Sequence, residues 1–121
     1  MNTIRNILIA EDELLVAKVL KMTLERRNFQ VQHVTEELAV VAAASEFKPD
    51  LIILDVYLKN KSSGINASKA IRANGIVCPI IFTTGNSFEQ TREEIKNISN
   101  SHLFIKPVDV DQLIRYIEEK L

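Results

Sequence analysis

The segment LIILDVYL, residues 51–58, sets the architecture of the chain, because four apolar residues lead directly into an aspartate. A short run of isoleucine and leucine bounded by polar residues is typical of a strand buried on both faces of a sheet. Similar runs occur at residues 7–10, 79–82 and 103–105. Residues 30–34 alternate polar with apolar side chains and predict a strand buried on one face, near an edge. The sequence therefore predicts five strands.

Helical patterns occupy the intervals between these strands and follow the last one. The first is indicated by Leu15, Val19 and Met22, which recur at helical spacing. Helices are predicted within residues 13–27, 38–47, 65–73, 87–98 and 110–121. Regular alternation of strand and helix predicts an α/β fold, in which a parallel sheet carries helices on both faces.

Capping signals support the last two helices. Ser87 with Gln90 three residues later forms a capping box for the fourth helix. Asp109 is expected to cap the fifth, with Gln112 at its third position. The apolar stripe of the fifth helix consists of Leu113, Ile114, Ile117 and Leu121.

Size and charge narrow the class of protein. The 121 residues fit one domain, which we assign to residues 1–121. The net charge of −1 gives no indication of nucleic-acid binding. The single cysteine, Cys78, fits a reducing cytoplasm. We also see no signal peptide and no apolar run long enough to predict a membrane helix, so we expect a cytoplasmic protein.

Chemically reactive side chains fall at the carboxyl ends of the predicted strands, where ligands of such folds bind. Glu11 and Asp12 end the first strand, Asp55 ends the third, Thr84 ends the fourth and Lys106 follows the fifth. Each alone has an ordinary explanation, since an aspartate after a strand is often a turn or capping residue. All of them at one end of successive strands are much harder to explain by turn preferences.

This combination suits phosphoryl chemistry. Clustered carboxylates repel one another, and a hard cation such as Mg²⁺ relieves that cost through oxygen ligands. A carboxylate can accept a phosphoryl group as a nucleophile. Transfer then needs mainly positioning and neutralisation of charge, which a metal on one side and Lys106 on the other would supply. A hydroxyl at Thr84 could bond one phosphoryl oxygen.

At this point the chain resembles the response-regulator receiver family over residues 7–121. Residues 7–13 are similar to the family's first strand with its acidic pair, and residues 51–58 to the strand that carries the phosphoacceptor. Residues 79–85 resemble the strand that ends in a conserved hydroxyl residue, for which we choose Thr84 over Thr83. Residues 104–107 resemble the family's Lys-Pro signature.

The resemblance implies a flavodoxin-like fold, with strands in the order 2-1-3-4-5, and a set of roles. Asp55 is the implied phosphoacceptor, taking the group from a phosphohistidine on a sensor histidine kinase or phosphotransfer protein. Mg²⁺ is the implied cofactor, bound by Asp12, Asp55 and the backbone carbonyl of Tyr57, with Glu11 acting through a metal-bound water. The chain would be a signalling domain and not an enzyme, catalysing only its own phosphorylation and dephosphorylation.

Further roles follow from the same resemblance. Lys106 is expected to pair with the phosphoryl group, and the Lys106–Pro107 peptide is expected to be cis. Phosphorylation would shift the domain between two conformations and regulate a downstream partner that the sequence does not identify. The fourth and fifth helices could present a partner or homodimer surface, with Phe88, Ile95, Ile98 and Tyr116 as candidates.

The chain departs from the family pattern at four places. The acidic pair is Glu-Asp instead of Asp-Asp, and Lys59 stands where a proline is common. The loop that begins at Lys59 is expected to be polar and mobile. Leu103 occupies a position that is often aromatic and acts as a switch, and Ser99-Asn100 replaces a Gly-Ala pair.

Three other functions compete with this interpretation. A haloacid-dehalogenase-like phosphatase needs a second aspartate where Tyr57 stands. A flavodoxin-like electron carrier needs a phosphate-binding loop where residues 11–13 are acidic. A receiver-like interaction module that works without phosphorylation is the strongest rival. The loss of an aromatic at Leu103 permits it, and the retained site residues argue against it.

Overall fold

The structure is a computed structural model that describes residues 5–85 and 89–121. Strands and helices alternate along the chain as predicted. The elements are β1 (Arg5–Ala10), α1 (Leu14–Glu25), β2 (Phe29–Val34), α2 (Glu37–Glu46), β3 (Leu51–Asp55), α3 (Gly64–Ala73), β4 (Ile80–Thr84), α4 (Glu89–Lys96), β5 (Ser101–Ile105) and α5 (Val110–Lys120). A 3₁₀ turn, Lys59–Lys61, lies between β3 and α3. Ser87 of the predicted capping box and the candidate surface residue Phe88 lie outside the described residues.

The five strands form one parallel sheet in the order β2-β1-β3-β4-β5, which confirms the predicted topology. The central strand, β3, is buried along its whole length and alternates between two apolar cores. Ile52 and Leu54 pack on the side of α2, α3 and α4. Leu51 and Ile53 pack on the side of α1 and α5. Helices therefore cover both faces, and the carboxyl ends of all strands meet at one edge.

The two outer strands differ from the inner three. β2 alternates buried with exposed positions, as its sequence pattern predicts for an edge. The prediction that residues 103–105 are buried on both faces is wrong, because β5 pairs with β4 alone and Ile105 is 38% exposed. An outer strand has no neighbour on one side, so its apolar side chains are only half covered.

The helix predicted within residues 13–27 is present, but the apolar stripe that indicated it faces solvent and not the core. The exposed fractions of Leu15, Val19 and Met22 are 76%, 50% and 43%. The side chains that α1 buries are Ala17, Leu20 and Leu24. By contrast, α5 buries Leu113, Ile114 and Ile117 as predicted, and the Asp109 carboxylate accepts a hydrogen bond from the Gln112 N–H at 3.1 Å.

At the amino end of the sheet, Arg72 joins two connections of the chain. Its guanidinium donates hydrogen bonds to the carbonyl oxygens of Ile76 and Cys78, both at 2.8 Å, in the link from α3 to β4. It also donates to the Ser99 carbonyl at 2.9 Å, in the turn from α4 to β5. The Asn100 side chain donates to the Val77 carbonyl at 3.0 Å and reinforces the same junction. In the described part of the chain, no helix has the length and apolarity needed to cross a membrane.

Candidate functional site

Three carboxylates converge where the strands end. Glu11 follows β1 and Asp55 ends β3, and the two residues are only 3% and 4% exposed. Asp12, next to Glu11, is half-buried. One oxygen from each of Glu11, Asp12 and Asp55 lies within 4.8 Å of the other two. Parallel pairing of β1 with β3 places both strand ends at the same edge, so the predicted cluster is assembled by the sheet itself.

Lys106 supplies the positive charge that faces this cluster. Its ammonium donates hydrogen bonds to Asp55 Oδ2 at 2.8 Å and to Glu11 Oε1 at 3.1 Å. A third carboxylate, that of Glu13, lies 3.6 Å from it. The Lys106–Pro107 peptide is cis, as the resemblance implied. Glu13 was not predicted to contact Lys106, and its only sequence signal is its place two residues after Glu11.

The electrostatics of the cluster are unbalanced. Burial raises the pKa of Glu11 to about 7, and the nearby Asp55 charge adds to the effect, while the hydrogen bond and charge of Lys106 oppose it. Burial lowers the pKa of Lys106, but bonding to Asp55 and then to Glu11 outweighs burial, so its pKa is raised overall. One ammonium thus faces more carboxylates than it can neutralise, and this favours a bound cation.

The donor set fits a hard divalent cation. Every candidate ligand is an oxygen, the cluster is compact, and two of its three carboxylates are buried. Mg²⁺ prefers one or two carboxylates and retains several waters, which suits a site that is open at Asp12. The residues that would hold it are Asp12 and Asp55, with Glu11 beside them.

The loop after Asp55 turns back on itself beside the site. The Gly64 N–H donates to the Val56 carbonyl at 2.8 Å, and the Leu58 N–H donates to the Ser62 carbonyl at 3.0 Å. The backbone N–H of Tyr57 points at Asp55 Oδ1, 3.3 Å away. A Cβ atom at Gly64 would overlap the backbone carbonyl oxygen of Asp55, so only glycine permits this close approach.

The same loop is attached to the start of α2. The Lys59 N–H donates to the Thr35 carbonyl at 3.2 Å, and the Asn60 side chain donates to Glu36 Oε1 at 2.8 Å. Asn60 has a φ of 58°, a left-handed conformation that asparagine tolerates better than most residues. These attachments join residues more than twenty positions apart in the chain. The mobility expected for this loop stays a prediction.

Two threonines end β4 and differ in their surroundings. Thr83 pairs in register with Asp55 and is buried, and its hydroxyl has no hydrogen-bond partner among residues 5–85 and 89–121. Thr84 is completely buried one residue further on. Leu103, at the family's switch position, packs against the core on the side of α4. Strand alternation places Thr84 on that same face, so the predicted hydroxyl and the aliphatic side chain at the switch position share one face of the sheet.

The predicted surface of the fourth and fifth helices needs correction. Ile95 of α4 and Ile98 in the turn after it are 5% and 7% exposed and belong to the core, because both side chains face the sheet. Tyr116 is half-buried and stacks on His102 with ring centroids 4.6 Å apart. Phe104, one residue after Leu103, packs edge-on against the same tyrosine. The aromatic residues of this region therefore form a cluster on the α5 side of β5.

A groove opens from the site along α1. It has a volume of about 490 Å³ and runs between α1 and the connection from β5 to α5. Leu15, Val16 and Val19 form one wall, and Lys106 lies at the inner end. The exposed apolar face of α1 thus borders a groove that also contains Glu11 and Lys106, and Lys106 in turn donates a hydrogen bond to Asp55.

Comparisons with known proteins agree with this geometry. Residues 7–118 match the family described as the response regulator receiver domain. The chain is 31% identical over 115 residues to the transcriptional regulatory protein PdtaR of Mycobacterium tuberculosis, which covers 94% of this chain and 55% of that protein. The chain therefore spans about half the length of this relative.

Solved structures show the same fold. The receiver domain of sensor histidine kinase PA1611 from Pseudomonas aeruginosa, with a magnesium ion coordinated in its active-site cleft, is 27% identical. Its TM-score is 0.85, with 98% of each chain covered. The signal receiver domain of a LuxO repressor protein from Vibrio parahaemolyticus has a TM-score of 0.88 at 22% identity, over 98% of this chain and 90% of that one, and supports the fold alone.

Family match, flavodoxin-like topology and acidic site point the same way, and on these grounds the chain belongs to the response regulator receiver domain family of two-component signalling.

Proposed function

We propose that this receiver domain accepts a phosphoryl group on Asp55 from a phosphohistidine donor, in a Mg²⁺-dependent reaction, and transmits the signal by a change of conformation. The observation that carries the proposal is the Asp55 carboxylate itself. It is almost completely buried, lies in a compact group of carboxylates, and holds the Lys106 ammonium at 2.8 Å. Ligands of open α/β sheets bind at the carboxyl ends of the strands, so the position of Asp55 supports a chemical role.

The proposed reaction is a displacement at phosphorus. A carboxylate oxygen of Asp55 forms a bond to phosphorus while the bond from phosphorus to the donor's imidazole nitrogen breaks, and the imidazole leaves with that electron pair. Mg²⁺ held by Asp12, Asp55 and the Tyr57 carbonyl, with Glu11 acting through a water, would neutralise charge on the phosphoryl oxygens. Lys106, now shared by Asp55 and Glu11, would exchange that contact for a phosphoryl oxygen.

The signal would travel through the ends of β4 and β5. Lys106 directly follows β5 and Thr84 ends β4, so a new doubly charged group on Asp55 attracts both. Movement of the two strands would change the surface built from α4, β5 and α5 and bias the domain between two conformations. We place the downstream partner, and a homodimer contact if one forms, on that surface. The domain is a signalling module and not a classic enzyme.

The exposed face of α1 is the proposed binding surface for the protein that donates the phosphoryl group. Leu15 and Val19 line a groove that leads to Lys106, and exposed apolar patches of this kind mark contact surfaces. A histidine kinase or phosphotransfer protein that places its own apolar side chains in the groove would bring its phosphohistidine to Asp55. A cytoplasmic location, inferred from the single cysteine, forms part of the same proposal.

Intact-mass measurement after incubation with acetyl phosphate tests the function. The wild type with Mg²⁺ should gain one phosphoryl group, whereas Asp55→Asn and wild type with chelator should gain none. Asp111→Asn, which changes an exposed aspartate on α5, serves as the matched control and should behave as wild type. A folded wild type that gains no phosphoryl group with Mg²⁺ present would instead support the interaction module that works without phosphorylation.

A further inference from the structure

The loop that follows Asp55, residues 56–63, has two edges that face different parts of the molecule. Tyr57 and Ser63 form an antiparallel bridge, and the hydrogen bonds that close it come from their neighbours, Gly64 to Val56 and Leu58 to Ser62. In such a pair the N–H and C=O groups of the bridging residues point away from each other. The Tyr57 groups thus lie on one edge of the loop and the Ser63 N–H on the other.

The Tyr57 edge faces the phosphoacceptor. Its N–H is directed at Asp55 Oδ1, and because N–H and C=O of one extended residue leave the backbone on the same side, its carbonyl lies along that edge as well. This is the carbonyl that the proposed function assigns to the cation. Its position depends on how the Tyr57–Ser63 bridge is held.

The Ser63 edge faces α2, where Glu37 holds it. Glu37 is the first residue of α2, and its Oε1 accepts a hydrogen bond from the Ser63 N–H at 3.0 Å. Ser63 in turn caps α3, because its hydroxyl accepts from the Asn66 N–H at 3.2 Å. A bond from a backbone N–H to an ionised carboxylate is stronger than one between neutral groups. Glu37 therefore fixes the edge of the loop opposite the Tyr57 carbonyl.

We propose that Glu37 is a positioning residue for the cation site: by holding Ser63 it sets where the Tyr57 carbonyl lies, and it does so without touching the cation. This inference rests on the proposed function, since it requires that Mg²⁺ binds beside Asp55. Residues that orient metal ligands in this indirect way commonly change metal affinity on the order of 10- to 100-fold.

Two conservative substitutions separate reach from charge. Glu37→Asp keeps the negative charge near the start of α2 but shortens the side chain by one methylene, so its carboxylate no longer reaches the Ser63 N–H. Glu37→Gln removes the charge but keeps an amide oxygen at the same distance to accept that bond. The neighbouring Glu36, whose carboxylate accepts from the Asn60 side chain, provides the matched control Glu36→Asp.

Titration of each ¹⁵N,¹³C-labelled protein with Mg²⁺, followed by NMR at the Asp55 and Tyr57 amides and the Tyr57 carbonyl carbon, gives the Kd directly. We expect Glu37→Asp to raise the Kd on the order of tenfold. Glu37→Gln should stay within about threefold of wild type, because a single partly exposed charge is largely screened. Glu36→Asp should do the same, because it keeps the charge and gives up only the bond to the Asn60 side chain, which lies outside the Tyr57–Ser63 bridge. Without Mg²⁺, the Tyr57 carbonyl shift should already differ in Glu37→Asp.

The outcomes distinguish the two proposals. If wild type binds Mg²⁺ and Glu37→Asp has the same Kd, the positioning role of Glu37 is overturned while the proposed function stands. A Kd raised by Glu37→Gln but not by Glu37→Asp also overturns it, because charge and not reach would then matter. If wild type shows no Mg²⁺-dependent change at Asp55, the proposed function fails, and this inference with it.

Discussion

Helices α1 and α5 lie side by side on the same face of the sheet, yet they use their apolar residues in opposite ways. In α5 the apolar side chains Leu113, Ile114 and Ile117 all face the core. In α1 the core receives Leu20 and Leu24, and a second apolar set remains exposed, namely Leu14, Leu15, Val16, Val19 and Met22. The rest of the α5 surface is largely polar, so α5 has one apolar face, whereas α1 has one buried and one exposed apolar face.

The difference shows that helical spacing of apolar residues identifies a helix without identifying its buried side. In α5 the apolar stripe seen in the sequence is also the buried side of the helix, because the helix has only one apolar face. For α1 the outer face is free of core packing and lies against the groove that leads to Lys106. The apolar residues Leu113, Ile114 and Ile117 of α5 therefore all serve the core, whereas those of α1 are divided between the core and the proposed donor-binding groove.

The same substitution in the two helices should have unequal effects, and the largest is expected at Leu113. Leu113→Ala leaves a cavity at a completely buried position and should lower the free energy of unfolding by about 2–5 kcal/mol. Urea denaturation followed by circular dichroism gives this value. A loss below about 0.5 kcal/mol, the usual range for surface positions, would mean that α5 is not part of the core.

Glu11, which lines the groove between α1 and α5, should make the free energy of unfolding depend on pH. The pKa of Glu11 is about 7 in the folded protein, against 4.5 for an ordinary glutamate, so the unfolded chain loses its proton first. The contribution of Glu11 to the free energy of unfolding is then fully present below pH 4.5 and is lost as pH rises through 7, by on the order of 2–3 kcal/mol. The pKa of Lys106 is raised above an already high value, so it contributes no slope in this window.

Glu11→Gln should remove that dependence. In chelator, thermal melts from about pH 4.5 to about pH 8 should show a falling Tm for wild type and a nearly constant one for the variant, which would be the more stable at the upper end. Equal slopes for the two proteins would show that Glu11 does not carry the effect. Added Mg²⁺ should reduce the slope of the wild type, because a cation favours the ionised carboxylate.

Thr83 lines the same groove between α1 and α5, and its substitution should have a smaller effect on the free energy of unfolding. Its buried hydroxyl has no partner among the described residues, so Thr83→Val removes an uncompensated polar group at nearly constant volume. The variant should be as stable as wild type or more stable by up to about 1 kcal/mol. A loss of more than that in urea denaturation would show that the hydroxyl has a stabilising bond.

The smallest effect is expected for Leu15→Ala, the α1 counterpart of Leu113→Ala. Because Leu15 is 76% exposed, its removal should change the free energy of unfolding by no more than about 0.5 kcal/mol. Phosphorylation by acetyl phosphate should also be unchanged, since a small donor needs no groove. A cost comparable to that of Leu113→Ala would erase the distinction between the two helices.

Much of the site could be predicted from the sequence because parallel strands end at a common edge. Once residues 7–10 and 51–54 were identified as neighbouring strands, Glu11 and Asp55 had to meet. The contact of Glu37 with Ser63 could not be predicted in this way. It joins residues 26 positions apart through a side chain whose rotamer depends on the finished fold. The burial of β5 also escaped prediction, because Leu103 and Ile105 look the same in an inner and an outer strand.

The junction made by Arg72 bears on how movement can spread through the domain. By bonding to the Ile76, Cys78 and Ser99 carbonyls it pins the starts of β4 and β5 together at the end of the sheet opposite Asp55. A strand that is held at one end moves least at that end and most at the other. If phosphorylation moves Lys106 and Thr84 as proposed, their displacement would be greatest near Asp55 and smallest near Arg72. The amino-terminal rim of the sheet would then stay in place while the opposite rim changes conformation.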